Sequence, residues 1–264
     1  MSIYASPQDL LNARTYYRAD VARSYLDEKL TRLEVMTLLR CQPAIVRKDI
    51  LDIGVGTGRT SIYLAPLAST YQGIDYSPSM VRHMQANRPG IPVQLADMRD
   101  LGAFADRRFD FVFAPSNVLD AVGHEDRLRT LAEFLRVLRP GGTLAFSSHN
   151  RHYAHAMNGP HLRWTPYDPI RQMRGVGIWV RQLANHRRFK SMRSSNGDYV
   201  LLNDEGHDFA LLHYYIGQAE ERRQLVCNGF EVIDVLDAQG TALAPDNQSP
   251  GSASLMYLAR RKSD

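Results

Sequence analysis

The sequence predicts an α/β fold in which a doubly wound, mainly parallel sheet carries helices on both faces. Short β-branched or aromatic runs alternate with runs of helical apolar spacing between residues 46 and 150. No tight hairpin signal interrupts this range, which favours parallel strands joined by right-handed helical crossovers. A glycine-rich turn, GVGTG, also follows the first apolar run, where such sheets bind ligands.

The elements of this range follow from their apolar pattern. The predicted strands are DILDIG, YQGID, PVQLAD, FDFVFA and TLAFSS, and the predicted helices are GRTSIYLAPLA, PSMVRHMQAN and EDRLRTLAEFLRVL. Residues 9–40 have apolar side chains at helical spacing and end before Pro43, so one or two helices are expected ahead of the first strand.

The alternation breaks near residue 150. Residues 151–208 are rich in arginine, histidine and aromatic side chains, and an Asn-Gly pair between two strand-like runs indicates a hairpin. A helix and two strands then resume, as AEERRQLVCNGF, EVIDVLD and SLMYLARRK. We therefore predict four parts: a helical segment closing the site (1–45), a core (46–150), an inserted cap (151–208) and a return to the core sheet (209–264).

The composition is that of an ordinary globular protein. The 264 residues are 44% hydrophobic, enough for one full core, and the net charge of +4 is too mild to demand a polyanionic partner. The two cysteines, Cys41 and Cys227, lie in apolar helical contexts, so free thiols in a reducing compartment are expected. No apolar run is long enough for a membrane span and no secretory leader is visible, so we expect a cytoplasmic protein.

The stretch ILDIGVGTGRT combines a strand, a carboxylate and three glycines at alternate positions. Bare backbone at a helix start lets a ligand approach unpaired N–H groups. Arg59 stands where a dinucleotide fingerprint has its third glycine, and no Gly-Lys-Ser/Thr follows, which weakens the NAD and P-loop interpretations. Asp75 ends the next strand about twenty residues on, where a carboxylate can accept both ribose hydroxyls of a nucleoside.

With these motifs in order, the chain resembles the class I methyltransferases that use S-adenosylmethionine. The matching stretches are LDIGVGTGR, GIDYSPSMV, VQLADMRDL, FDFVFAPSNVLDAV and RVLRPGGTLAFS, which together cover about residues 45–150. The resemblance implies a Rossmann-like, seven-stranded sheet whose last strand is antiparallel. We also expect the inserted cap to be β-rich and to cover the active site.

The resemblance also implies where S-adenosylmethionine would lie. The residues expected at the amino-acid end of the cofactor are Asp52, Gly54, Gly56, Gly58, Arg59 and Thr60. Those expected at the ribose are Asp75, Tyr76 and Met80, and those at the adenine are Asp97 and Met98. Ala114, Ser116 and Asn117 would border the methionyl sulfur and the substrate.

The acceptor side is predicted from position alone. A methyl transfer needs little beyond alignment and, where the acceptor loses a proton, a general base. The candidate catalytic residues are His149, Tyr214 and Tyr16, and the candidate substrate-binding residues are Tyr17, Asn117, Asn150, Trp164, Trp179, His213 and Tyr215. His152 and His155 are helically spaced with His149 but have no carboxylate or cysteine cluster beside them, so no metal is expected.

The preferred function is methyl transfer to nitrogen of a small metabolite, with oxygen as the second choice. The acceptor would be anionic or aromatic, and the protein a monomer or homodimer without a nucleic-acid partner. A methyltransferase acting on RNA or protein through the basic cap stays open, as does a non-catalytic nucleoside-binding protein or an NAD oxidoreductase on a similar sheet.

Overall fold

The computed structural model describes Gln8, Leu11, Asn12, residues 29–162 and residues 169–263, except for the side chains of residues 169–171. The predictions made for Tyr16, Tyr17 and Trp164 lie outside the described residues.

One mixed sheet runs through these residues and contains ten strands. They are β1 (Asp49–Ile53), β2 (Thr70–Asp75), β3 (Val93–Leu95), β4 (Phe109–Ala114), β5 (Leu138–Asn150), β6 (Ser194–Asn196), β7 (Tyr199–Leu202), β8 (His213–Ile216), β9 (Phe230–Leu236) and β10 (Ser254–Arg261). Strands β3, β2, β1, β4 and β5 lie side by side and parallel, and β10 joins β5 to β9 by antiparallel pairing. The predicted parallel sheet with an antiparallel last strand is present. Its predicted total of seven strands is too low, because β6 and β7 of the cap and β8 just after it extend the sheet.

Helices cover both faces of the sheet. They are α1 (Arg32–Arg40), α2 (Gln42–Ile45), α3 (Ser61–Leu64), α4 (Pro78–Asn87), α5 (His124–Val137), α6 (Pro169–Phe189) and α7 (Gln218–Cys227). Alternate residues of β4 point to opposite faces, so Val112 joins one apolar cluster with side chains of α5 and α7, and Phe111 and Phe113 join the other with side chains of α1, α2 and α3. The core is therefore two layers of apolar side chains with the sheet between them.

The cap contains the predicted hairpin, formed by β6 and β7, but it is not β-rich. Its longest element is α6, a helix of 21 residues. Val176, Ile178 and Val180 alternate with other residues at a period of two, which resembles a strand, yet in the helix all three are exposed. The helical segment instead contacts the short turn Gly206–Phe209, where Asn185 donates to the carbonyl of Asp208 at 2.9 Å.

Strand β5 joins the core to the cap. Its first edge pairs with β4 as far as Phe146 and then with β8 at His149 and Asn150, while β10 pairs with the opposite edge as far as His149. Strand β8 therefore continues the line of β4 beyond the end of that strand. This brings His149 beside Tyr215, although the two residues belong to different parts of the chain.

Cys41 is buried and Cys227 is exposed, and both are free thiols as the sequence indicated. Among the described residues, no helix combines the length and the apolar character needed to cross a bilayer.

Candidate functional site

A first cavity opens at the carboxyl ends of β1, β2 and β4. Ten of the residues predicted to hold the cofactor line it: Gly54, Gly56, Arg59, Thr60, Asp75, Tyr76, Met80, Asp97, Met98 and Ser116. Four others from the same prediction do not line it: Asp52, Gly58, Ala114 and Asn117. The chain thus brings most of the predicted set around one space, where the ends of parallel strands meet.

The three glycines of the motif all have positive φ, but they differ in what surrounds them. A Cβ on Gly54 would stand 2.6 Å from Cγ1 of Val118, and one on Gly58 would collide with the sulfur of Met84. A Cβ on Gly56, by contrast, would meet no atom within 4 Å. Gly54 and Gly58 therefore allow close packing, and Gly56 is the one that leaves backbone open to a ligand.

Asp52 is fully buried behind this turn. One oxygen accepts hydrogen bonds from the hydroxyls of Thr60 at 2.9 Å and Tyr71 at 2.7 Å, and burial raises the pKa of the carboxyl group to about 6. Its other oxygen has no partner among the described residues. Asp52 consequently fastens the start of α3 to β1 and lies behind the cavity wall.

Asp75 is the carboxylate that reaches the first cavity. It accepts from the backbone N–H of Gly56 and from that of Ser77, each at 2.8 Å, and burial raises its pKa to about 6. These two bonds fix the carboxylate plane, and each oxygen keeps a further lone pair. The side chain can therefore accept two hydroxyl groups from a ligand in the cavity.

Arg59 ties this wall to the N-terminal helix. Its guanidinium binds both carboxylate oxygens of Glu34, one of them at 2.6 Å, and also donates to Ser116 at 2.7 Å. Burial alone would raise the pKa of Glu34, but the hydrogen bonds from Arg59 and from Thr31 lower it. The sequence did not identify Glu34, although Thr31 and Glu34 form a capping box that marks the start of α1.

The far end of the cavity is held by a second arginine. Arg99 binds both oxygens of Asp97, at 2.9 and 2.6 Å, and donates to Asp126 of α5 at 2.8 Å. Asp97 and Met98 are thereby fixed on the loop after β3, where the sequence placed the adenine.

A second cavity lies beyond the ends of β5 and β8. The side chains that give it chemical character are those of His149, Tyr153, His155, His161, Asp204, His213, Tyr215 and Ser254. No lysine or arginine is among its described lining residues. Three of the predicted acceptor-side residues, His149, His213 and Tyr215, therefore come together.

His149 is oriented by a buried carboxylate that the sequence did not identify. Asp120 accepts from the backbone N–H of His149 at 2.6 Å and from ring Nδ1 at 2.7 Å. Burial would raise the pKa of Asp120, but the hydrogen bond from His149 and the charge of Arg127 lower it. An ionised carboxylate at Nδ1 places the ring proton there and leaves Nε2 as the acceptor.

Arg127 holds this carboxylate from the other side. It is fully buried and donates to Asp120 and to Glu221 of α7, both at 2.6 Å. Burial opposes the charge on Arg127, but the two carboxylates hold its pKa above the usual value. The group therefore connects α5, α7 and the loop after β4 inside the core.

His213 and Tyr215 share one carboxylate. Asp204 accepts from Nδ1 of His213 at 2.8 Å and from the hydroxyl of Tyr215 at 2.7 Å. Burial disfavours charge on both partners, yet the pKa of Asp204 is lowered and that of His213 is raised by their mutual attraction. Their mutual attraction therefore favours the imidazolium–carboxylate form of the pair.

Asn117 separates the two cavities. Its chain neighbours Ser116 and Val118 line the first cavity, and its amide donates to Nε2 of His149 at 3.1 Å and to Ser254 at 2.8 Å in the wall of the second. Ser116 and Asn117 both have φ of 57°, an uncommon conformation for residues other than glycine. The two cavities thus meet at one constrained side chain.

Three predicted acceptor residues lie elsewhere. Tyr214 points to the opposite face of β8 from its neighbours and bonds His124 at 2.8 Å, because side chains alternate along a strand. Asn150 is buried and donates to the carbonyls of Gln248 and Ser249, so it fixes that loop. Trp179 lies on α6 and lines neither cavity.

The N-terminal segment contributes a residue that the sequence did not single out. Asn12 lines the first cavity, donates to the carbonyl of Ala121 at 2.8 Å and accepts from the N–H of Leu212 at 3.1 Å. This contact joins the start of the chain to the loop after β4 and to the segment before β8.

The described residues contain one group with metal-ligand chemistry, His149, Asp204 and His213, although no metal was expected. The sequence prediction considered only the histidines near His149, since Asp204 and His213 are more than fifty residues further along.

Residues 50–142 match the model of a family described as a methyltransferase domain. This stretch of the chain is therefore similar to a methyltransferase domain. A demethylmenaquinone methyltransferase from Beutenbergia cavernae is 33% identical over 135 residues, covering 50% of this chain and 52% of that protein. A malonyl-[acyl-carrier protein] O-methyltransferase from Methylococcus capsulatus is 38% identical over 104 residues, covering 38% of this chain and 36% of that protein. The chain thus spans about half or less of the length of these curated relatives.

Solved structures show the same fold over nearly the whole chain. The 1,6-didemethyltoxoflavin-N1-methyltransferase of Burkholderia thailandensis, solved with 1,6-didemethyltoxoflavin and S-adenosylhomocysteine, superposes with a TM-score of 0.60 at 15% identity, covering 100% of this chain and 93% of that one. An S-adenosylmethionine-dependent methyltransferase from Clostridium acetobutylicum superposes with a TM-score of 0.58 at 13% identity, covering 95% and 98%. The fold is therefore the Rossmann-like fold of class I methyltransferases, and the stretch similar to a methyltransferase domain, residues 50–142, runs from β1 into β5.

Proposed function

We propose that the protein transfers a methyl group from S-adenosylmethionine to a small-molecule acceptor. The observation that carries this is that Asn117 lies between two cavities, one lined by Gly56 and Asp75 and the other by His149. One space suits a nucleoside and the adjoining one holds a base, which is the layout that transfer between two bound molecules requires.

The first cavity fits S-adenosylmethionine on the evidence of its own residues. The position next to Gly56 is open space, which a side chain at this residue would fill and a ligand could otherwise occupy. Asp75 offers a fixed carboxylate to a ribose diol. Met98 and Asp97 stand at the end expected for the adenine. When bound, S-adenosylmethionine supplies a methyl group on a positively charged sulfur, which is already a good leaving group.

The second cavity is proposed for the acceptor. Nδ1 of His149 donates to Asp120, so Nε2 is free to take a proton once the acceptor displaces the amide of Asn117. The methylated atom of the acceptor is nitrogen or oxygen in this proposal. The domain relatives include an O-methyltransferase and the solved neighbours an N-methyltransferase, so the comparisons favour neither.

No observation favours RNA or protein as the acceptor. Among the described cap arginines, Arg181 is paired with Asp208 and Arg193 with Asn203, and Arg151 donates to the carbonyl of Gly197. These contacts hold the cap together, and the exposed basic side chains of Arg174, Arg187, Arg188 and Lys190 are by themselves ordinary solvated charges.

Calorimetry tests the donor half of the proposal. We expect S-adenosylmethionine and S-adenosylhomocysteine to bind at one site per chain and NAD not to bind. Binding of NAD without a response to the other two would remove the proposal.

Substitution of His149 tests the acceptor half. We expect His149→Ala to lower turnover about 100-fold, within the range of a lost general base, and to leave S-adenosylhomocysteine affinity within about twofold. His83→Ala, on the outer helix α4, is the matched control and should leave both unchanged. Equal turnover in the two variants would exclude His149 from catalysis.

A further inference from the structure

The second cavity contains two histidine–carboxylate pairs side by side. Asp120 binds His149 and Asp204 binds His213, and the two imidazole rings stack with centroids 4.9 Å apart and planes 24° apart. The strand register explains why the two rings are adjacent. His149 pairs with Tyr215 across β5 and β8, and His213 lies two residues before Tyr215, on the same face of β8.

The hydrogen bonds give the two rings different protons. Nε2 of His149 faces the amide nitrogen of Asn117, a donor, so this nitrogen presents a lone pair. His213 uses Nδ1 for Asp204, and the attraction of that carboxylate raises its pKa, which favours a second proton on Nε2. That N–H has no hydrogen-bond partner among the described residues. The charged or titratable groups around His213 are Asp204, Asp120, His207, the stacked His149, Tyr215 on the same carboxylate, and Glu205 in the cavity wall.

We propose that these two rings act as a base and an acid on one acceptor, and that the acceptor is an alcohol or phenol with a second oxygen on the neighbouring carbon. The proposal rests on the proposed function. His149 would receive the proton of the reacting hydroxyl, and His213 would donate a hydrogen bond to the neighbouring oxygen. A ligand nitrogen would need less help, since a neutral amine attacks through its lone pair before losing a proton, whereas a hydroxyl must lose its proton as it reacts.

The spacing of the rings fits two neighbouring oxygens. The two ring centroids are 4.9 Å apart, and one nitrogen of His149 lies within 4.8 Å of one nitrogen of His213. Two oxygens on adjacent carbons are separated by about one hydrogen-bond length, so each can reach one imidazole nitrogen at roughly 2.7–3.0 Å. An acceptor with a single oxygen would leave the N–H of His213 unpaired in a mostly buried site, which is costly.

The reaction balances with these groups alone. The O–H bond breaks and its proton passes to Nε2 of His149, while an O–CH₃ bond forms. The S–CH₃ bond breaks with its electron pair staying on sulfur, which leaves S-adenosylhomocysteine. His149 then releases its proton to water through the cavity.

The same three residues are less suited to a metal ion. An ion must lie in the plane of each imidazole at about 2.0–2.1 Å from nitrogen, and near-parallel stacked rings direct their lone pairs side by side instead of at one point. One oxygen of Asp204 is also already bonded to both His213 and Tyr215.

The first experiment identifies the methylated atom. A protein-free metabolite extract is incubated with the enzyme and S-adenosylmethionine labelled with ¹³C at the methyl group, and products are analysed by NMR. We expect a labelled O-methyl group whose carbon neighbours an oxygenated carbon. An N-methyl product, or an O-methyl group without a neighbouring oxygen, overturns the inference and leaves the proposed function standing. Absence of any methylated product counts against the proposed function itself.

The second experiment reads the protons directly, without turnover. In ¹⁵N NMR of the ligand-free protein, we expect the proton of the neutral His149 ring to lie on Nδ1, and two protons on His213. A neutral His213 overturns the inference. So does tight binding of Zn²⁺ in calorimetry with loss of the His149 and His213 signals, since the site would then be a metal centre.

The third experiment tests whether His213 acts as a hydrogen-bond donor or only packs in the cavity wall. His213→Gln retains an N–H donor and should lose no more than about tenfold in kcat/KM, whereas His213→Phe retains only the ring and should lose about 100-fold. Asp204→Asn removes the charge that raises the pKa of His213, so activity should begin to fall with rising pH at a lower pH than in the wild type. The control Asp246→Asn, on an exposed loop, should leave the pH profile unchanged. Equal activity of the Gln and Phe variants, or an unmoved pH profile, overturns the inference.

Discussion

Glu34 of the N-terminal helix binds the guanidinium of Arg59 through both of its carboxylate oxygens, and Arg59 in turn reaches Ser116 in the loop after β4. Three separate segments are thereby fixed at the rim of the first cavity. The arginine that departs from a dinucleotide fingerprint is thus a structural link between helix α1 and the glycine turn. This explains why a long side chain occupies a position where a glycine would otherwise bring helix and strand together.

Glu34→Gln should loosen this link. The variant leaves Arg59 without its charge partner, and we expect a loss of about 1–3 kcal/mol in the free energy of unfolding, below the cost for a fully buried pair because Arg59 is partly exposed. Urea unfolding measures the loss and calorimetry with S-adenosylhomocysteine measures the accompanying drop in affinity. Since the pKa of Glu34 is lowered by folding, the contribution is present above its usual value of 4.5 and is lost as pH falls further. Glu231→Gln, an exposed carboxylate on β9, is the control; equal effects in both would contradict the link.

Asp75 should make donor binding depend on pH. Its pKa of about 6 in the free protein means that protons compete with the ribose hydroxyls below that value. We expect affinity for S-adenosylhomocysteine to be constant above about pH 7 and to fall by up to tenfold per unit below about pH 6. For stability the sign is the opposite, since a raised carboxyl pKa disfavours the folded state as pH rises from about 4 to 6. Asp75→Asn should bind weakly at every pH, and a wild-type profile that is flat from pH 5 to 8 would refute the assignment.

The glycines should separate packing from ligand contact. Gly54→Ala forces a methyl group into Val118 and should destabilise the protein, and Val118→Ala should restore much of the loss by making room. Gly56→Ala should cost only about 1–2 kcal/mol of stability, from its positive φ, but should reduce S-adenosylhomocysteine affinity at least about tenfold. Thermal unfolding and calorimetry on the same samples distinguish the two. Normal affinity in Gly56→Ala would show that the ligand does not approach this backbone.

The buried Arg127 should be essential to stability. Arg127→Met removes the cation bound between Asp120 and Glu221, and we expect about 3–5 kcal/mol of lost stability because Glu221 loses its charge partner in the core and Asp120 is left with only His149 and Ser148. Arg129→Met, two residues away on the same helix and 59% exposed, is the matched control and should cost less than about 1 kcal/mol. Denaturant unfolding of both variants checks the difference. A loss as small as that of the control would mean that Asp120 and Glu221 do not depend on the arginine.

The sequence predicted the core sheet because its signals are local. Each strand from β1 to β5 has its own apolar run and its own following turn, and parallel pairing follows from the intervening helices. Helix α6 was missed because Val176, Ile178 and Val180 have the spacing of a strand, and only the length of the helical segment outweighs that pattern. Strand β8 was assigned to the returning core because nothing in its own residues shows that it pairs with β7.

The candidate site was predictable where it follows a strand end and not where packing brings distant segments together. Asp75 and His149 stand directly at the ends of β2 and β5, so position alone identified them. Asp120 and Asp204 act on His149 and His213 through contacts that only the folded chain creates. Tyr214 was chosen over Tyr215 without knowledge of which face of β8 each would occupy.

The two edges of β5 have a consequence for how this chain can vary. His149 faces the second cavity only because β5 pairs in one register with β10 on one side and β8 on the other. A one-residue insertion or deletion between Gly142 and His149 would turn the histidine to the other face of the sheet and put a serine or asparagine in its place. The number of residues in this strand is therefore as strict a requirement for chemistry as the identity of the histidine, and loops, not β5, are where length can change.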